Sequence, residues 1–146
     1  MNSSIRAVLL AEDSPADAEM ALDALRDANL ANPIVHVEDG IEVMDYLLRR
    51  GHFADRPEGL PAVLLLDIKM PRMDGLEVLR EVRAHDELKK LPVVVLTSSR
   101  EETDLAISWN LGVNAYVVKP VDSEQFFNAV KTLGRFWAVL NETPDA

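Results

Sequence analysis

Short apolar runs alternate with amphipathic stretches along the whole chain. Residues 6–11 (RAVLLA), 34–38 (IVHVE), 62–67 (AVLLLD), 93–97 (VVVLT) and 115–119 (AYVVK) are rich in Val and Leu and bounded by Pro, Gly, Asp or Ser, which predicts strands. The runs at 62–66 and 93–96 are apolar at every position, as expected of strands covered on both faces of a parallel sheet. Between the runs, the 3.6-residue periodicity predicts helices over 15–30, 40–50, 74–86, 100–111 and 123–140. Their starts carry cap chemistry. Ser14 precedes Pro15 at a first helical position, and Asp74 with Glu77, Ser99 with Glu102 and Asp122 with Gln125 have capping-box spacing.

Strands that alternate with helices require right-handed crossovers and helices on both faces of one sheet. The expected fold is therefore α/β: a flavodoxin-like (βα)5 doubly wound parallel sheet with strand order 2-1-3-4-5. That order opens a crevice at the carboxyl ends of strands one and three. Residues 1–146 read as a single domain with its core at about 5–141 and no output domain. The segment 51–61 (GHFADRPEGLP) is a longer loop than the fold needs.

Composition narrows the function classes. Hydrophobic residues make up 48% of the chain, which argues against wholesale disorder, and the absence of cysteine removes disulfides, thiol nucleophiles and thiolate metal ligands. The opening MNSSIRAVLLAED has neither the length nor the flanks of a signal peptide or membrane span, so a soluble cytoplasmic protein is expected. A net charge of −10 repels nucleic acid and anionic membranes. The basic pairs Arg49-Arg50 and Lys89-Lys90 read as helix-end and loop residues, so no direct nucleic-acid partner is expected.

The chemistry gathers at strand ends. Strand one runs into Glu12-Asp13 and strand three ends in Asp67, so in the expected order three carboxylates share the crevice. Left alone they would repel, and a hard divalent cation with oxygen ligands relieves the conflict; Mg²⁺ fits a site with few protein ligands. Strand four ends in Thr97 and strand five in Lys119, adding a hydroxyl and an ammonium. Carboxylates, metal, hydroxyl and ammonium together suit a phosphoryl group, with Asp67 as the candidate nucleophile for an aspartyl-phosphate. Each residue alone has a blander reading as a cap, strand terminus or surface lysine. Their joint placement carries the argument.

These residues resemble those of bacterial two-component response regulator receiver domains over nearly the whole length. The matching motifs are LLAEDSPAD, LLLDIKMPRMDG, VVVLTSS and AYVVKP. The resemblance implies that Asp67 is the phosphorylation site. It implies that Asp13 and Asp67 bind Mg²⁺ directly, that Glu12 acts mainly through water, and that the backbone carbonyl of Lys69 is a further ligand. It implies that Lys119 pairs with phosphoryl oxygens and that the Lys119-Pro120 bond is cis. Thr97 and Tyr116 would be the switch residues: the hydroxyl moves toward the phosphoryl group as the ring turns inward. The resemblance also places Lys69 and Ser99 at positions that tune phosphoryl lifetime in the family. The implied partner is a sensor histidine kinase, and the long loop and aromatic-rich C-terminus resemble single-domain regulators paired with phytochrome-type kinases. Such a protein is a signalling phosphoacceptor that catalyses only its own phosphorylation and dephosphorylation.

Two other enzyme or ligand classes fit the fold. A nucleotide- or flavin-binding protein would need a glycine-rich loop after strand one, where this chain reads EDSPAD. A Mg²⁺-dependent phosphohydrolase would need an acid/base placed to assist leaving-group departure and water attack; the phosphohydrolase family of this kind usually has a second Asp two residues after the nucleophile, where this chain has Lys69. A degenerate receiver that binds partners without phosphorylation is a further alternative, at odds with the complete acidic, hydroxyl and lysine set. In the last helix, Phe126, Val130, Leu133, Trp137 and Leu140 form one apolar stripe, while Phe127, Phe136 and Val139 lie off it. That second apolar side predicts a homodimer through the fourth helix, fifth strand and fifth helix.

Overall fold

The computed structural model describes residues 6–27 and 32–131. Its elements, in chain order, are β1 (Val8–Ala11), α1 (Pro15–Asp27), β2 (Ile34–Val37), α2 (Gly40–Leu47), β3 (Val63–Asp67), α3 (Gly75–Ala84), β4 (Val93–Thr97), α4 (Arg100–Trp109), β5 (Ala115–Val118) and α5 (Ser123–Lys131). The strands form one sheet in the order β2-β1-β3-β4-β5, and every neighbouring pair is parallel. The expected topology is the observed one.

Side-chain alternation explains the two-sided packing. Leu9, Ala11, Leu64, Leu66, Val93 and Val95 point to the face covered by α2, α3 and α4, through Val43, Leu79, Val82 and Ala106 among others. The intervening Val8, Leu10, Val63, Leu65, Val94 and Leu96 point to the face covered by Ala21, Ala24 and Leu25 of α1 and by Phe126 of α5. Every residue of β1, β3 and β4 is buried, whereas β2 and β5 at the edges are partly exposed. Continuous apolar runs thus mark the three inner strands.

Helices α2, α3 and α4 end earlier than their periodicity suggests. Helix α4 stops at Trp109 because Asn110 takes the left-handed conformation, φ 55°, and closes the last turn. Only Asp74 and Glu77, of the three boxes, exchange both hydrogen bonds. Ser99 accepts from the Glu102 amide, but the Glu102 carboxylate turns back to the amide and hydroxyl of Ser98. Asp122 accepts from the Gln125 amide, while the Gln125 side chain bonds Val118 and Pro120. The long loop 51–61 contains a 3-10 turn at Gly51–Phe53 and is pinned by Arg56, which stacks on the Tyr46 ring at 4.1 Å and donates to the carbonyls of Tyr46, Pro57 and Gly59. Of the apolar stripe expected in the last helix, Phe126 is buried against α1; Val130 and Phe127 have undescribed side chains, and Leu133, Phe136, Trp137, Val139 and Leu140 lie outside the described residues.

One glycine sets the floor of the crevice. Gly75 opens α3 with its amide on the Ile68 carbonyl at 2.8 Å, and a Cβ there would sit 2.2 Å from the Asp67 carbonyl oxygen. Such a contact with backbone cannot be relieved by a rotamer change. Gly75→Ala should therefore cost about 1–3 kcal/mol of stability, typical of overpacking, seen as a lower urea midpoint at unchanged slope.

Candidate functional site

The sheet register builds the site. Ala11 pairs with Leu66, so Glu12 and Asp67 leave the sheet next to each other. Asp67 pairs with Leu96, so Thr97 lies one step further along β4, and Thr97 pairs with Val118, the residue before Lys119. Strand β5 is two strand spacings, about 9.5 Å, from β3. Only a long side chain crosses that gap, and Lys119 does so.

The Lys119 ammonium lies 3.0 Å from Asp67 Oδ1, 3.1 Å from Glu12 Oε1 and 3.2 Å from Asp17 Oδ2. Glu12, Asp67 and Thr97 are buried, and Asp13 is exposed at the mouth. Carboxylate oxygens of Glu12, Asp13 and Asp67 come within 4.8 Å of one another. The Lys119-Pro120 bond is cis, as expected.

Electrostatics follow from this crowding. Burial pushes the Asp67 carboxyl up to about 7, with Glu12 adding to the rise and Lys119 opposing it. Burial alone would lower the Lys119 ammonium, but the nearby charges of Asp67 and Glu12 outweigh it and raise the pKa, so Lys119 stays charged. Asp67 Oδ1 is buried and, although within ion-pair distance of Lys119, has no aligned hydrogen bond. Three carboxylates around one ammonium, with Asp13 close to two of them, leave a net negative pocket with an under-satisfied oxygen. The donor set is all oxygen and suits a hard divalent cation.

The switch candidates lie on the side of the sheet away from α1. Thr97 Oγ1 is 3.0 Å from the hydroxyl of Thr103, which is also 3.2 Å from the Ser99 carbonyl. Tyr116 is half-buried against the core on the α2–α4 face, and burial raises its phenol. Lys69, on the loop after Asp67, has an exposed side chain reaching 3.6 Å from the buried Glu102.

Glu12, Asp13, Asp67, Thr97, Lys69 and Lys119 thus lie at or beside the carboxyl end of the sheet, whereas Tyr116 sits mid-strand in β5, paired with Val95. Sequence reasoning missed Asp17, Thr103 and the load on Glu102. Asp17 reads from spacing as a first-turn acid complementing the helix dipole, and Glu102 as a cap partner. Their contacts with Lys119 and Lys69 join segments far apart in the chain, where no local pattern signals them.

Among known proteins, the response regulator receiver domain family matches residues 8–131. The response regulator Rcp1 of Synechocystis sp. is 35% identical over 141 residues, covering 97% of this chain and 95% of Rcp1. The solved structure of the Mn(2+)-bound form of Rcp1 superimposes with a TM-score of 0.73 at 34% identity, over 97% of this chain and 99% of that one. The bacteriophytochrome response regulator AtBRR is 55% identical with a TM-score of 0.89, over 96% of this chain and all (100%) of AtBRR. The phosphorylated cyanobacterial phytochrome response regulator RcpA is 36% identical with a TM-score of 0.74, over 97% of this chain and 98% of RcpA. With a family match across most of its length and these relatives, the chain belongs to the response regulator receiver domains and is related to the phytochrome response regulators.

Proposed function

We propose that Asp67 takes a phosphoryl group from the phosphohistidine of a sensor histidine kinase, of the phytochrome type, and that the altered surface then binds a partner. The observation that carries this reading is the convergence of Asp67, Glu12, Asp13 and Lys119 in one crevice. An Asp67 carboxylate oxygen attacks phosphorus, the P–N bond to imidazole breaks, and the new P–O bond gives an aspartyl-phosphate. Lys119 sits where it pairs with phosphoryl oxygens, and Thr97 supplies a hydroxyl within the same crevice. Phosphorylated RcpA supports the reading by relationship.

Glu12, Asp13 and Asp67, with the Lys69 carbonyl, would hold Mg²⁺, which when bound neutralises charge on the transferring group. The Mn(2+)-bound form of Rcp1 supports a divalent ion here. The protein has no enzymatic turnover beyond its own phosphorylation and dephosphorylation, and it works in the cytoplasm, where kinase and Mg²⁺ are both present. No helix among the described residues is long and apolar enough to cross a membrane. Leu105 and Ile107 on α4 and Val118 on β5 are exposed apolar residues, which supports a homodimer through α4, β5 and α5.

Incubation with a small acyl phosphate and Mg²⁺ should load one acid-stable, base-labile phosphoryl group, and Asp67→Asn should load none. Turnover of many equivalents would instead identify a phosphohydrolase. The raised Asp67 carboxyl makes a second test. Its folded-state pKa of about 7 exceeds the unfolded value, so its contribution is full below about 4 and is lost as pH rises through about 7. Urea unfolding with a chelator should show that loss in the parent but not in Asp67→Asn, and saturating Mg²⁺ should reduce it by stabilising the ionised form. For the dimer, sedimentation velocity at micromolar concentration should give a two-subunit species; monomers with and without phosphorylation would overturn that interface.

A further inference from the structure

Lys119 is surrounded by one more anion than phosphoryl chemistry calls for. A lysine ammonium has three hydrogens and no other donor capacity. Here three carboxylates, Asp67, Glu12 and Asp17, lie within 3.2 Å of it. Asp67 is the acceptor, and Glu12 belongs to the oxygen trio suited to a cation. Asp17 belongs to neither group. It stands in the first turn of α1, whose entry is fixed by its own amide on Ser14 Oγ at 3.3 Å. That turn aims the Asp17 carboxylate at an ammonium on the far side of the crevice, 102 residues later in the chain.

We infer that Asp17 is a positioning residue that competes with the phosphoryl group for Lys119. This rests on the reading of Asp67 as the phosphoryl acceptor. Phosphorylation adds oxygens and negative charge at Asp67, and both call on the ammonium. Glu12, 1% exposed, is locked beside Asp67, whereas the Asp17 side chain is 33% exposed and can turn to water. Asp17 is therefore the carboxylate that yields. Until it does, it occupies an ammonium hydrogen and opposes the incoming negative charge. Orientation of Lys119 does not depend on it, because Glu12 and Asp67 already hold the ammonium from the sheet side. Removing Asp17 should accordingly strengthen the hold on a phosphoryl group, the opposite of what loss of a merely structural contact does.

The test uses beryllofluoride, which binds an aspartate carboxylate as a phosphoryl mimic, titrated by calorimetry or ¹⁹F NMR at saturating Mg²⁺. Asp17→Asn should bind it roughly two- to fivefold more tightly than the parent, the range of a partly exposed ion pair. Asp17→Glu should restore a carboxylate and return affinity toward the parent. Glu19→Gln removes the same charge from an exposed position on the same helix and should leave affinity unchanged. Thermal melting of each variant checks the fold. Equal or weaker binding by Asp17→Asn in a folded protein, or equal tightening by Glu19→Gln, would overturn the competition while leaving Asp67 as acceptor. A parent that binds no beryllofluoride and gains no phosphoryl group would overturn both.

Discussion

Glu12 and Asp67 emerge side by side because Ala11 is in register with Leu66, and the rest of the site is arranged around the cost of burying them together. Two neighbouring carboxylates at 1% and 2% exposure cannot both be ionised in a protein interior without a compensating cation. Lys119 supplies one positive charge and falls short, which is why the Asp67 carboxyl remains well above its ordinary range. A further divalent charge completes the balance. The crevice thus carries a surplus of negative charge, which suits it to a hard divalent cation.

The architecture was legible in the sequence because its signal is redundant. Continuous apolar runs on β3 and β4, cap residues at Ser14, Asp74 and Ser99, and polar ends at Glu12, Asp67, Thr97 and Lys119 all point to one topology. Element ends were less legible, since a residue such as Asn110 entering the left-handed region leaves the hydrophobic period intact up to that point. Capping boxes misled in a related way. The spacing at Ser99 and Glu102 is right, but the carboxylate has a better use on Ser98 and near Lys69, contacts that exist only once β3 and α4 are adjacent. Asp17 shows the same limit. Its local role is sufficient to explain it, so nothing in the sequence asks for a second partner.

The loop from β3 to α3 is anchored on several sides, which matters because it follows Asp67 directly. Gly75 packs on the Asp67 backbone. Arg72, in the left-handed conformation at φ 68°, grips Asp39 with two hydrogen bonds of 3.0 and 3.1 Å, and Asp39 itself caps α2. Lys69 reaches the buried Glu102 at the start of α4. A change of charge at Asp67 therefore falls on a segment tied to α2, α3 and α4 at once. Rigid ties of this kind favour discrete rearrangement over gradual deformation.

Thr97 shows how such a rearrangement is held in reserve. Its hydroxyl is paired with Thr103 on α4, a neutral hydrogen bond at 3.0 Å. Turning toward a phosphoryl group would exchange that bond for a charge-assisted one, roughly twice as strong. Without the phosphoryl group the exchange gains nothing and leaves Thr103 to bond the Ser99 carbonyl alone. Tyr116, half-buried beside the same core, lies on the face from which Thr97 would withdraw. Loss of the Thr97–Thr103 bond would be felt where β4 meets α4, because Thr97 is fully buried there and interiors are close-packed.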